Sequence, residues 1–258
     1  MPRLGWALIA VVSNPKLRLA SDDHAMLTDL TQKALDNPIW AALTGEQQYL
    51  ANISNFARRF PAEVTTLAGF AEPGEEAYAS LMNLVLPGET IALFLREPPA
   101  PSDVWSVKLT PLLQMIQTRI PENHQKAISN HEVTALGAVD SPEMLALAQL
   151  TKPGPFGTRT HELGEYFGIR LDGVLVAMAG ERLHFTGHTE VSAVCTHPDH
   201  LGHGYAGALV AKVASRIRHR GETPILHVRA DNARAISVYE RMGFQARLNY
   251  HVVVLQRK

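Results

Sequence analysis

Between Val191 and Val213 the chain reads VSAVCTHPDHLGHGYAGALVAKV, and no other stretch restricts the fold as much. Val191, Ala193 and Cys195 alternate with Ser192, Val194 and Thr196 as in a strand. The alternation breaks at Pro198, passes through Gly202-His203-Gly204 and becomes helical by Ala206. A strand, a glycine turn and a helix in that order leave the first N–H groups of the helix unpaired, at the positive end of its dipole, with glycines that let a ligand approach the backbone. The stretch therefore predicts a phosphate-bearing ligand.

Gly202-His203-Gly204-Tyr205-Ala206-Gly207 satisfies G-x-G-x-x-G, the dinucleotide fingerprint, but five residues, His197 to Leu201, separate the strand from the first glycine, and only 56 residues follow Gly202. A nicotinamide or flavin oxidoreductase needs the strand to run straight into the glycine and several βα units to follow, so an NAD-dependent enzyme is the less favoured alternative. A P-loop needs Lys and Ser or Thr after its last glycine, where Ala208-Leu209 stand.

The stretch resembles the acyl-CoA-binding signature of the GNAT superfamily of N-acyltransferases, (Q/R)-x-x-G-x-(G/A), which falls on Leu201 to Ala206. Gly204 and Ala206 match, and Leu201 departs from the usual Arg or Gln. A second signature of the family follows at its expected distance, as Asn232-x-x-Ala235-x-x-x-Tyr239-x-x-x-Gly243-Phe244. The resemblance implies an α/β (α+β) fold over the C-terminal half, with a mixed, mostly antiparallel sheet flanked by helices. It also implies acetyl-CoA as acyl donor, an amine acceptor and no metal. It assigns backbone contacts with pantetheine and the thioester to Val194 and Thr196, the diphosphate cradle to Gly202, His203, Gly204, Tyr205 and Ala206, and a cofactor-arm contact to Asn232, which can equally be a helix cap.

Acyl transfer needs a proton donor for the leaving thiolate and an acceptor for the proton of the incoming ammonium. Tyr239 is the expected acid: it lies seven residues, two helical turns, past Asn232, and a phenol of pKa ~10 matches a thiolate in basicity. Glu190, four residues before Val194 and expected on the same strand face, is the expected base, with Ser192 between them to order a water. Cys195-x-His197-x-x-His200-x-x-His203 has metal-ligand residue types, but Pro198 and the glycines stand against folding them round one ion in the segment that the anion turn uses. Phe156, Arg159 and His161, in or next to the irregular stretch TKPGPFGTRT at 151–160, are expected near the acceptor.

Composition adds bounds. With 46% hydrophobic and 19% charged residues the chain has the make-up of a globular protein, and its one cysteine excludes an intrachain disulfide and suits the cytoplasm. No apolar run reaches the ~18 residues of a membrane span; Trp6 to Val12 reads as a first strand rather than a signal peptide. Residues 201–258 hold ten Lys and Arg against three acids, a basic segment suited to a polyphosphate, while nothing argues for nucleic acid.

Along the chain, helices are expected from Ser21-Asp22 up to Pro38, over Ile39–Asn55, over Glu75–Leu86 and over Leu112–Ile120, with strands at Val64–Leu67, Thr90–Leu95 and Val104–Leu109. A linker at Pro121–Asn130 divides a domain at 1–125, for which a degenerate copy of the same fold is one option, from a GNAT-like domain at 126–258. The second half predicts strand 134–139, helix 142–150, a 166–171/174–180 hairpin on Asp172-Gly173, strand 188–196, the helix after the glycine turn, strand 225–230, helix 232–242 and one or two last strands over 245–255. A non-catalytic acyl-CoA binder is the rival of another class. The acceptor and the oligomeric state are not legible.

Overall fold

The computed structural model describes residues 21–100, 102–122 and 131–258. Two compact units are distinguished, 1–36 and 37–258. In the first, the described part is helix α1 (Ser21–Asp36), as its periodicity predicts. The first apolar run and most of the expected linker lie outside the described residues.

The second unit is built on an eight-stranded sheet in the order β4-β11-β5-β10-β9-β8-β7-β6. Its strands are β4 (Thr90–Leu95), β5 (Trp105–Gln117), β6 (Thr134–Leu136), β7 (Tyr166–Leu171), β8 (Val174–Phe185), β9 (His188–Thr196), β10 (Thr223–Arg229) and β11 (Phe244–Arg257). Only β9 and β10 run parallel; every other pairing is antiparallel. Helix α4 (Ser141–Thr151) packs Met144, Leu147 and Ala148 on one face with Tyr166, Met178 and Cys195. On the other, α5 (Tyr205–His219) buries Leu209, Val210, Val213 and Ile217 against Phe167, Val191 and Leu226, and α6 (Ala233–Arg241) adds Ala235, Ile236 and Tyr239. A smaller sheet of β1 (Asn52–Ser54), β2 (Ala57–Arg59) and β3 (Ala68–Phe70), with α2 (Pro38–Thr44) and α3 (Glu75–Met82), completes the unit.

The expected division at residue 125 does not separate two folding units. β5, from before it, lies between β10 and β11, pairing Ile225↔Ile116 on one side and Val253↔Leu109 on the other. The stretch Leu112–Ile120, expected as helix, is largely the second half of this strand. Its apolar spacing misleads because an interior strand is apolar on both faces, and the two polar residues in its strand part, 112–117, are paired rather than exposed: Gln114 is fully buried, and Gln117 donates to the Met242 carbonyl at 2.8 Å. The 39–55 region is helical only to Thr44, followed by a 3₁₀ turn at Gln48–Leu50 and β1. Buried Gln47 there donates to the Arg182 carbonyl at 2.8 Å and accepts from the His184 amide at 3.2 Å, so the segment is fastened to β8.

Candidate functional site

β9 and β10 pair only through Thr223↔His188, Pro224↔Thr189 and Ile225↔Glu190. Beyond Glu190 they part, and Val191 to Thr196 face no ladder partner on that side. In β9 the pairing with β8 skips from Met178↔Cys195 to Gly180↔Ser192, so Ala193 and Val194 together oppose Ala179. This is a β-bulge, and Ala193 takes φ +52°, a left-handed conformation that costs a non-glycine residue about 1 kcal/mol or more. The bulge inverts the face alternation. Val191 and Val194 both join the α5 side, and Ala193 and Cys195 both join the α4 side. Val194 therefore does not share a face with Glu190, contrary to the expectation from spacing, because one extra residue shifts the two-residue period.

The turn after β9 enters α5 through Gly202 (φ +90°) and Gly204 (φ +81°), the two positions where left-handed backbone calls for glycine. No side chain caps α5, and no acidic residue stands in its first turn, so neither offsets the positive end of its dipole. His203 stacks on Tyr205 with centroids 5.5 Å apart, and Leu201 is half exposed. Asn232 caps α6, its Oδ1 accepting from the Ala235 amide at 3.1 Å.

Tyr239 projects from α6 onto the same apolar cluster that Val194 and Tyr205 pack against, and its ring meets Phe244 edge-on at 6.2 Å. Burial, and to a lesser degree the Cys195 thiol, push its hydroxyl up to about 12. The α6 helix thus lays Tyr239 on the α5-side core, the cluster that Val194 of β9 also packs against.

Glu190 is placed differently from what a base requires. It is fully buried, accepts two hydrogen bonds from Arg182 at 2.8 and 2.6 Å, and lies 2.8 Å from Nδ1 of His227. Burial alone pushes its carboxyl up, but Arg182 and His227 beside it pull it down to about 2. A carboxylate so held has little affinity for a proton. The network continues from His227 Nε2 to the Gln114 side-chain amide at 3.1 Å, and from Gln114 Oε1 to Arg247 at 2.8 Å. Arginine only donates, so it fixes Gln114 with its N–H toward Nε2, which leaves Nδ1–H to donate to Glu190. Both arginines sit at irregularities of the sheet, Arg182 in the β8 segment opposite Glu190 and Arg247 where β11 shifts register, and such bulges re-aim a side chain. The sequence reading missed His227, Gln114 and Arg182; alternation within each strand puts no mark on residues that meet only when four strands align.

The 151–160 loop is pinned to the early part of the unit. The Arg159 amide donates to the Glu63 carbonyl at 2.9 Å and the Thr160 hydroxyl to the Val64 carbonyl at 2.6 Å. Arg159 pairs with Glu162, and Phe156 packs edge-on against Tyr166. None of these contacts brings Phe156, Arg159 or His161 to Tyr239. Cys195 is buried with its thiol bonded to Thr151 and pushed up to about 11, chiefly by burial, whereas His197 and His200 belong to the turn. Among the described residues no group of three or more ligand types is placed to hold a metal ion, and no helix is long and apolar enough to cross a membrane. An open cleft of about 420 Å³, lined by Trp40, Phe56 and residues 71–77, shares no residue with the α5 turn.

A family model described as FR47-like protein matches residues 166–253, which run from β7 into β11. No curated protein matches the chain. Among solved structures, a GNAT-family protein from Novosphingobium aromaticivorans is 38% identical, with a TM-score of 0.79 over 87% of this chain and 98% of that one. A GCN5-related N-acetyltransferase-like protein from Streptococcus suis (15% identity, TM-score 0.53, 84% and 92% covered) and a GCN5-related N-acetyltransferase from Kribbella flavida (19%, 0.52, 86% and 93%) share the fold. At 38% identity over 98% of that GNAT-family relative, with the fold shared throughout, the chain belongs to the GNAT family.

Proposed function

We propose that this protein transfers an acyl group, most simply acetyl, from acyl-CoA to a primary amine by direct attack. The observation that carries the reading is the parting of β9 from β10 beyond Glu190, with Val194 of β9 and Tyr239 of α6 packed against the same core cluster. Open backbone groups at Val194 and Thr196 hold the pantetheine arm and polarise the thioester, and the Gly202–Ala206 amides bind the diphosphate, with Asn232 at the cofactor arm while it caps α6. The amine nitrogen forms a bond to the thioester carbon as the C–S bond breaks. The Tyr239 hydroxyl gives its proton to the departing thiolate and regains one from the ammonium of the collapsing adduct through water. Because Glu190 is held as a carboxylate by Arg182 and His227, it serves as an anchor of the parted strands, and the amine attacks in its neutral form.

The engagement of Glu190 also favours a second reading, an acyl-CoA binder without turnover. Thiol release from acetyl-CoA across a panel of small amines and peptide amino termini separates the two. Amine-dependent release that falls about 10²- to 10⁴-fold in Tyr239→Phe with CoA affinity retained supports the transferase. CoA binding with no release on any amine supports the binder, and absence of CoA binding removes both.

A further inference from the structure

Side-chain donors can add to the amides of the turn, yet the basic segment that contains the turn is largely engaged elsewhere. Arg216 and Arg220 pair with Glu165 at 2.8 and 3.1 Å, Arg229 pairs with Asp231 at 2.6 Å, Arg218 bonds Gln117, Arg247 bonds Gln114, and Arg257 bonds carbonyls at Met82 and Val85. Lys212 lies over the Phe167 ring. The position where the family signature carries Arg or Gln is Leu201, which has nothing to donate.

Two imidazoles stand at the turn instead. His203 lies nearly parallel to the Tyr205 ring (24°), and His131, which precedes β6, meets the same ring edge-on at 5.0 Å. His131 Nε2 is 3.7 Å from where a Cβ on Gly204 would lie, so it sits directly over the glycine that opens α5. Neither ring makes a hydrogen bond or ion pair among the described residues; ring contacts with Tyr205 hold them both. A neutral imidazole still offers one N–H, and a charged one offers two.

We infer that His131 and His203, both in ring contact with Tyr205, donate to the diphosphate of acyl-CoA in place of the side chain that Leu201 lacks. This rests on the acyl-CoA reading of the turn and extends it to a residue 73 positions away in sequence. A hydrogen bond to a charged group is worth roughly 1.5 kcal/mol or more, so each imidazole contributes on the order of tenfold in affinity.

The test is calorimetric titration of the full chain with CoA and with pantetheine, which lacks the diphosphate, for wild type, His131→Ala, His203→Ala, the double variant, and the double variant carrying Leu201→Arg; Arg234→Ala serves as comparator. The expected result is about tenfold weaker CoA binding for each single variant, a larger loss for the double and partial recovery with Leu201→Arg. Pantetheine binding and the unliganded melting temperature stay unchanged. The inference is overturned if the double variant binds CoA within about twofold of wild type, if CoA and pantetheine affinities fall together, or if Arg234→Ala alone causes the loss. Wild-type protein that binds CoA no tighter than pantetheine, so gaining nothing from the whole 3′-phosphoadenosine diphosphate, also overturns it while leaving the transferase reading standing; wild type that binds neither removes both.

Discussion

Glu190 shows how far a residue's surroundings can redirect its chemistry. A carboxylate at the entry of a central strand looks like a base, yet here it is buried with Arg182 and His227 and held at about 2 against an ordinary 4.5. A folded-state value below the unfolded one contributes stability that is complete above about pH 4.5 and is lost as pH falls toward 2. Glu190→Gln leaves the Arg182 guanidinium buried without its counter-charge and should cost about 3–5 kcal/mol at pH 7. Urea unfolding from pH 7 to pH 3 checks this: the wild type should lose stability towards the acid end, and the difference between wild type and variant should shrink there. If the variant is as stable as wild type and loses only turnover, Glu190 is a base after all. Tyr239 gives the opposite sign. Its hydroxyl is raised to about 12, so it remains an acid throughout the working range, and turnover should show no alkaline loss from this group below about pH 11.

At the scale of elements, two joints shape β9 and α6. One is the bulge at Ala193, where a left-handed residue lets β9 turn its edge away from β10. Valine at this position keeps the apolar character but suits left-handed backbone poorly, so Ala193→Val should lower stability by about 1–3 kcal/mol and weaken CoA binding, read from thermal melts with and without CoA. The other is Gly243, which ends α6 at φ +86° with the Arg119 carbonyl 2.0 Å from where its Cβ would be. The Thr118 amide donates to the Gly243 carbonyl at 3.0 Å, so the end of β5 and the end of α6 are locked together. Gly243→Ala combines backbone strain with a steric clash and should cost about 2–4 kcal/mol, measured by urea denaturation.

For the whole molecule, the inserted strand decides what can stand alone. β5 fills the place between β10 and β11, and β4 covers the far edge of β11. A fragment of residues 131–258 would leave β10 and β11 without the strand that joins them. It should give no cooperative urea transition by circular dichroism, whereas residues 37–258 should unfold in one. A cooperative transition in the short fragment would show that the last strands can close on each other. Local pattern by itself determined the glycine-entered helix, the hairpin on Asp172-Gly173, the limits of β4, β7 and β9, and the Asn232–Tyr239 spacing, because turn chemistry and periodicity act over a few residues. Only the tertiary structure decided that Leu112–Gln117 is strand, that the two halves share one sheet, that a bulge sets Val194 opposite in face to Glu190, and that Glu190 is paired. Each of these depends on residues brought together from distant strands, where burial reverses the preferences that neighbouring residues express.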